Sequence, residues 1–229
     1  MKKIYLSTNI CNLSVYYKVA CYLGLCFLYC FTYEVQAQEK SFESLCEKEK
    51  SIITWNKRKI ENNITCLRTS QNSEIHYYNI SPSLTMLSWQ VIDSIRHTNL
   101  TITLYNSNYY FKGIFNNQPY DKTVKSKGYP WHQNIAYSAG KILINKKSCF
   151  TYECFRPDNL ELYVMQAERK NNLTVFNNQN AYEVKVRLTG LLSHFWSCLY
   201  YFNAENHQFI GYKGVNGGPG TPETIIKSK

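Results

Sequence analysis

The chain has 229 residues and a formal net charge of +10, with hydrophobic residues at 44 %. Apart from Lys57-Arg58-Lys59 and Lys146-Lys147 its basic residues form no dense run, and none interleaves with aromatics, which excludes nucleic acid as a partner. A scattered basic surface favours acidic partners instead, here a peripheral contact with an anionic membrane surface.

Residues 1–37 read as a signal peptide. Lys2, Lys3 and Lys18 precede the apolar run from Val19 to Phe31, and Val35-Gln36-Ala37 supplies residues suited to the −3 and −1 positions. The run falls short of the roughly 20 apolar residues that cross a bilayer. Cleavage after Ala37 is therefore expected, with an uncleaved anchor helix as the alternative. Residues 38–229 then form a single β-rich extracytoplasmic domain, large enough to fold unaided. Three lysines against Glu34 put +2 in the leader and leave +8 on this domain. Export permits disulfides. The five cysteines beyond the leader, Cys46, Cys66, Cys149, Cys154 and Cys198, are odd in number and cannot all pair within one chain. Neither they nor the five isolated histidines show metal-ligand spacing, so no metal and no cofactor is expected.

In chain order, residues 38–59 are charged and weakly periodic and read as one short helix at 43–53 ahead of the sheet. Strands follow near 64–68, 74–80, 84–91, 100–105 and 109–115, separated by Asn-rich or Pro-containing connectors. Asn106-Ser107-Asn108 joins the last two as a hairpin. Asn116-Asn117-Gln118-Pro119 turns the chain, residues 120–127 pair next, and Gly128-Tyr129-Pro130 ends them. A strand at 142–144 turns through Asn145-Lys146-Lys147 into 148–155. Strands at 160–168 and 173–176 precede the clearest signal in the chain, Tyr182 to Thr189, where apolar and polar residues alternate without a break. Residues 190–195 read as one helical turn, 196–202 pairs with 208–213 in a final hairpin, and 214–222 is a turn-rich strap. The fold class is all-β with minor α: an antiparallel meander curled into an open or half barrel, with at most one or two short helices.

Twenty tyrosines and four tryptophans suit pleated, half-buried surfaces and cross-strand pairing. A curved meander that does not close must cover its apolar concave face with a helix, a loop or a ligand, and this motivates a binding role. Within Gly128-Tyr129-Pro130-Trp131-His132-Gln133, a tryptophan plugging the open edge, its indole N–H satisfied by backbone, outweighs a cavity mouth. No Gly-x-Ser-x-Gly, His-Glu-x-x-His or catalytic-cysteine signature is present. Enzyme status stays open and leans to no. The route to an enzyme is an unmarked pair such as His132 or His194 with Cys198.

Tyr110-Phe111-Lys112-Gly113, Pro130-Trp131-His132-Gln133, Arg156-Pro157-Asp158-Asn159-Leu160, Thr189-Gly190-Leu191-Leu192-Ser193-His194-Phe195-Trp196 and Tyr212-Lys213-Gly214-Val215-Asn216-Gly217 follow one another across residues 84–227. In that order they resemble a group of uncharacterised exported bacterial β-rich proteins. That group is architecturally similar to the periplasmic half-barrels that carry lipoproteins or lipids. The resemblance implies a sheet curled around an apolar groove, with Trp89, Tyr109, Trp131 and Trp196 as the aromatics expected to face a ligand. It carries over no catalytic residue. The expected function is an extracytoplasmic binding or carrier module for a lipid or other apolar or amphipathic ligand. The alternatives are an envelope adaptor with a filled core and a protein partner, and an enzyme with a His/Cys site.

Overall fold

The computed structural model describes residues 37–145, 148–190, 193, 196–215 and 221–229. The leader up to Gln36, most of the expected turn at 190–195 with His194, and the middle of the glycine-rich tail lie outside the described residues. Fourteen strands form one antiparallel sheet: β1 (Gln38–Cys46), β2 (Glu49–Lys59), β3 (Thr65–Gln71), β4 (Glu74–Ile80), β5 (Met86–Asp93), β6 (Thr98–Tyr105), β7 (Asn108–Phe115), β8 (Gln118–Lys125), β9 (Cys149–Phe155), β10 (Leu162–Phe176), β11 (Gln179–Leu188), β12 (Ser197–Asn203), β13 (Phe209–Val215) and β14 (Glu223–Ser228). An α-helix, α1 (Ile135–Asn145), lies between β8 and β9. Two meanders, β1 to β8 and β9 to β14, are joined where β1 pairs with β14, so that β8 and β9 are the two edges and the barrel stays unclosed. Among the described residues no helix is long and apolar enough to cross a membrane.

Asparagine makes the tight turns. Asn106-Ser107, Asn116-Asn117 and Asn177-Asn178 each put two consecutive residues at positive φ, the geometry of a two-residue hairpin that matches strand twist. Three elements differ from the sequence reading. Residues 43–53 are not helical: they belong to β1 and β2, which turn at Glu47-Lys48 with Glu47 at φ 52°. The strand expected at 142–144 is the last part of α1. Its start is capped by Asn134, whose Oδ1 accepts the Tyr137 N–H at 3.1 Å. The strands expected at 160–168 and 173–176 are one strand, β10, whose pairing with β11 is irregular between Arg169 and Leu173.

The sheet curls until its ends overlap. One face of β9 presents Phe150, Tyr152 and Cys154 to a cluster with Met165, Val184 and Val186 of β10 and β11 and with Ile135, Ala139 and Leu143 of α1. Its other face presents Phe155 to Tyr109 and Phe111 of β7, at ring-centroid distances of 4.8 and 5.0 Å. Covered on both sides, β9 needs no alternation, and Cys149 to Phe155 shows little. The helix sits close to the sheet at Gly140, where a Cβ would collide with the His207 carbonyl oxygen and the Phe202 ring. A second cluster, built from β3 to β7 around Leu67, Trp89, Leu100 and Ile102, is plugged by Trp131.

A charged staple ties down one end of β4 to β6. Asp93, 3 % exposed at its side chain, accepts the Ile95 N–H at 2.9 Å and the Ser73 hydroxyl at 3.1 Å, and pairs with Arg96, which also reaches Glu74. Burial alone would raise the Asp93 carboxyl, but these donors hold it at about 2. The folded pKa lies below the unfolded one, near 3.9, so the stabilisation, on the order of 2 kcal/mol, is complete above about pH 4 and is lost as the pH falls through about 2. Asp93→Asn should lose that amount at neutral pH by urea denaturation, and the gap to the parent should close on acidification. A gap independent of pH would remove the electrostatic explanation.

Candidate functional site

Pairing of β1 with β2 sets Gln38 opposite Lys57, Lys40 opposite Trp55 and Phe42 opposite Ile53. Directly opposed residues share a face, as do alternate residues along a strand. The six side chains therefore form a strip on the inner face, graded from lysine and glutamine at the rim, through Trp55, to Phe42 and Ile53. Trp55 packs against both core clusters, so the strip lies at their junction. The helix borders this junction, with Ala136 packed on the first cluster and Tyr137 on the second, while Trp131 sits within the second cluster.

Phe209, the first residue of β13, stacks on Trp55 with centroids 5.5 Å apart and planes 10° from parallel, and stands 5.2 Å from Phe42. Tyr200 and Tyr212, 5.1 Å apart, continue the aromatic wall inward. An outer cleft of about 140 Å³ is lined by Lys40, Lys57, Trp55 and Phe209 from the strands and by Ala136, Tyr137 and Lys141 from α1. An inner cavity of about 160 Å³ shares Trp55, Ala136 and Phe209 with it and extends to Phe42, Tyr200 and Tyr212. A third, of about 390 Å³, shares Lys40, Gln208 and Phe209 and is bordered by Glu39 and Ser228. Lys40 donates to the Gln208 side chain, and burial together with neighbouring Lys57 lowers its pKa. The Lys141 ammonium lies 5.3 Å from the Tyr137 ring centre. An aromatic slot with an ammonium rim can hold an apolar body and leave a polar head at the mouth.

The aromatics expected from sequence to face a ligand sit elsewhere. Trp89, Tyr109 and Trp131 are 0 % exposed in the second cluster. Tyr109 and Trp131 meet edge to face at 5.2 Å, and the Trp89 indole donates to His76 Nδ1 at 3.1 Å. Trp196 is half-buried beside the first cluster, its indole bonded to the Val215 carbonyl at 3.1 Å. None of the four lines the three cavities. Trp131 does plug the gap between the sheet's ends, with its indole N–H on the Gln133 side chain rather than on backbone. Sequence reasoning missed Trp55, Phe209, Lys40 and Lys57. The signal for three of them was the period of two in Gln38, Lys40, Phe42 and in Ile53, Trp55, Lys57, masked by reading 38–59 as charged and weakly periodic with a helix at 43–53.

All five described cysteines are free. Burial pushes the Cys198 thiol up to about 12 and the His132 imidazole down to about 4, the latter against a backbone hydrogen bond at Leu84. A protonated thiol and a neutral imidazole are the reverse of an activated thiolate pair.

No family model and no curated protein matches the chain. Among solved structures, a β-barrel-like protein of a domain of unknown function, DUF1849, from Brucella abortus superposes with a TM-score of 0.56 at 5 % identity, over 84 % of this chain and 95 % of that one. The hypothetical lipoprotein YmcC from Escherichia coli aligns over 90 % of this chain and 93 % of its own at 12 % identity, but with a TM-score of 0.36 that is too weak to build on. The expected likeness to bacterial β-rich proteins of unknown function is thus borne out as a likeness of fold, that of a β-barrel-like sheet.

Proposed function

We propose that the protein is an extracytoplasmic binding or carrier module for an apolar or amphipathic ligand in the cell envelope. The observation that carries this reading is the strip of β1 and β2, with lysines at the rim and Trp55, Phe209, Phe42 and Ile53 behind them. Trp89, Tyr109 and Trp131 then serve the ligand indirectly, as the packed mass against which Trp55 rests, and Trp196 supports the opposite cluster. The net positive charge would draw the protein to anionic envelope surfaces where such ligands reside.

Delipidated protein titrated with the neutral probe 1-N-phenylnaphthylamine is expected to bind it, and Phe209→Ala is expected to weaken binding about tenfold by removing the stacked wall. Absence of binding, together with nothing released by solvent extraction of protein from its own host, would sink the reading. An adaptor role is favoured by one different observation: Leu173 and Val175 near the tip of the β10–β11 hairpin are 53 % and 70 % exposed. Co-purification of a stable protein partner that is lost on Val175→Lys would support it.

A further inference from the structure

We propose that the cleft selects anions, taking a ligand with one carboxylate or phosphate head on a single apolar chain, the head among Lys40, Lys57 and Lys141 and the chain on Trp55 and Phe209. This deepens the binding reading above and rests on it.

Charge complementarity carries the inference. No carboxylate lines the outer cleft. Among the described residues, Lys50, Lys213, Arg96, Arg156 and Arg187 each pair with an acidic side chain, whereas Lys40, Lys57 and Lys141 do not. What sets these three apart from the other unpaired cations of the surface is that they converge on one cleft with no acid in its lining. Lys40 is half-buried and has only an amide oxygen as its partner. A partly buried ammonium without a counter-charge is costly, and burial beside Lys57 already disfavours its charged form, so an arriving anion would recover that cost. In the neighbouring cavity Glu39 offsets one of two lysines, Lys40 and Lys229, whereas the outer cleft has three lysines and no acid, which favours it as the place of the head.

The lining limits the rest of the ligand. The cavities of about 140 and 160 Å³ share Trp55, Ala136 and Phe209 and give one chain a continuous apolar path, while the adjoining cavity of about 390 Å³ is lined mostly by polar groups such as Glu39, Gln179, Asn206 and Lys229 and does not suit a second chain. The chain lies against rings and the head stays at a wet rim, where lysines can follow it.

The test compares 11-(dansylamino)undecanoic acid with its methyl ester on delipidated protein. The acid is expected to bind about tenfold tighter than the ester at low salt, and the preference should shrink toward one at high salt and in Lys40→Gln/Lys57→Gln/Lys141→Gln. Should that variant fail to fold, Lys141→Glu at the exposed side of α1 reads the same ratio. Displacement by lysophosphatidic acid or by a plain fatty acid tells which head is preferred. Equal affinities for acid and ester would overturn anion selection and leave the binding module standing. Failure of both probes would remove both readings. Binding to phosphatidylglycerol vesicles without binding of the free acid would move charge recognition to the membrane surface and overturn the proposal. So would a preference untouched by the lysine replacements.

Discussion

Replacing Glu153 by alanine is expected to destabilise the protein by about 3 kcal/mol or more, read by urea denaturation at neutral pH. Glu153 is 0 % exposed on β9 and accepts the Tyr109 hydroxyl at 2.7 Å, the Tyr129 N–H at 2.9 Å and the Ser126 hydroxyl at 3.1 Å. Tyr109 comes from β7, while Ser126 and Tyr129 lie in the connector beyond β8, so one carboxyl ties both ends of the sheet together. Burial, with Glu153 adding to it, holds the Tyr109 phenol far above its ordinary pKa, so the hydroxyl remains a donor. Deleting the acceptor strands the buried Tyr109 hydroxyl, at a cost of about 1–3 kcal/mol, and removes the bonds of the part-buried Ser126 hydroxyl and Tyr129 N–H, at about 1 kcal/mol each. That loss is not the net worth of the cluster, because seating a carboxyl in the interior is itself expensive. Glu153→Leu combined with Tyr109→Phe should therefore recover part of the stability that Glu153→Ala loses. A single-variant loss below about 1 kcal/mol would show that water or other partners satisfy the donors.

Trp131→Ala should cost about 4 kcal/mol, within the range for truncating a fully buried aromatic. Trp131 is 0 % exposed and meets Tyr109 and Phe155 edge to face at 5.2 and 6.1 Å. Its indole donates to Gln133, whose own side chain accepts the Phe155 N–H at 2.9 Å and donates to the Phe155 carbonyl at 2.8 Å. The backbone around it is pinned separately. The Met86 N–H donates to the Trp131 carbonyl, and Pro130 and His132 exchange hydrogen bonds with Glu153. The substitution thus removes the filling and leaves the chain in place. Trp131→Phe should retain about half of the difference, since it keeps the apolar ring and loses the N–H. A cost near 0.5 kcal/mol, typical of surface positions, would mean that the overlap does not depend on this ring. Because Trp131 and Glu153 adjoin, their combined effect should depart from additivity by about 0.5–3 kcal/mol.

Strands whose two faces meet different surroundings were readable in advance. Tyr182 to Thr189 alternates because β11 has one packed face, and β4 and β7 fall within a residue of where their patterns and Asn turns place them. The stretch in α1 that was read as a strand is Ile142-Leu143-Ile144, which favours β-structure by composition alone. The competing signals were Asn134 as cap and the spacing Ile135, Ala139, Leu143 along one face. In β1 and β2 each strand alternates, but the Glu47-Lys48 turn breaks the phase and the joined stretch looks irregular. The site was less legible for a different reason. Trp55, Phe209 and Lys141 converge through strand register and helix docking, contacts between residues far apart in sequence, whereas composition alone marks every aromatic equally. The most conspicuous ones, Trp89, Tyr109 and Trp131, went to the core.

The pairing of β1 with β14 sets the order in which the protein can finish. Phe42 lies opposite Ser228 and Cys46 opposite Thr224. During synthesis from the amino end, β1 and β2 can form their hairpin early, yet the other edge of β1 waits until the final strand emerges. Contacts spanning nearly the whole chain form slowly, and an unpaired strand edge invites partners meanwhile. Chains halted before Glu223 would hold two meanders without the β1–β14 pairing that joins them, with the lysine-rimmed cleft beside an open edge.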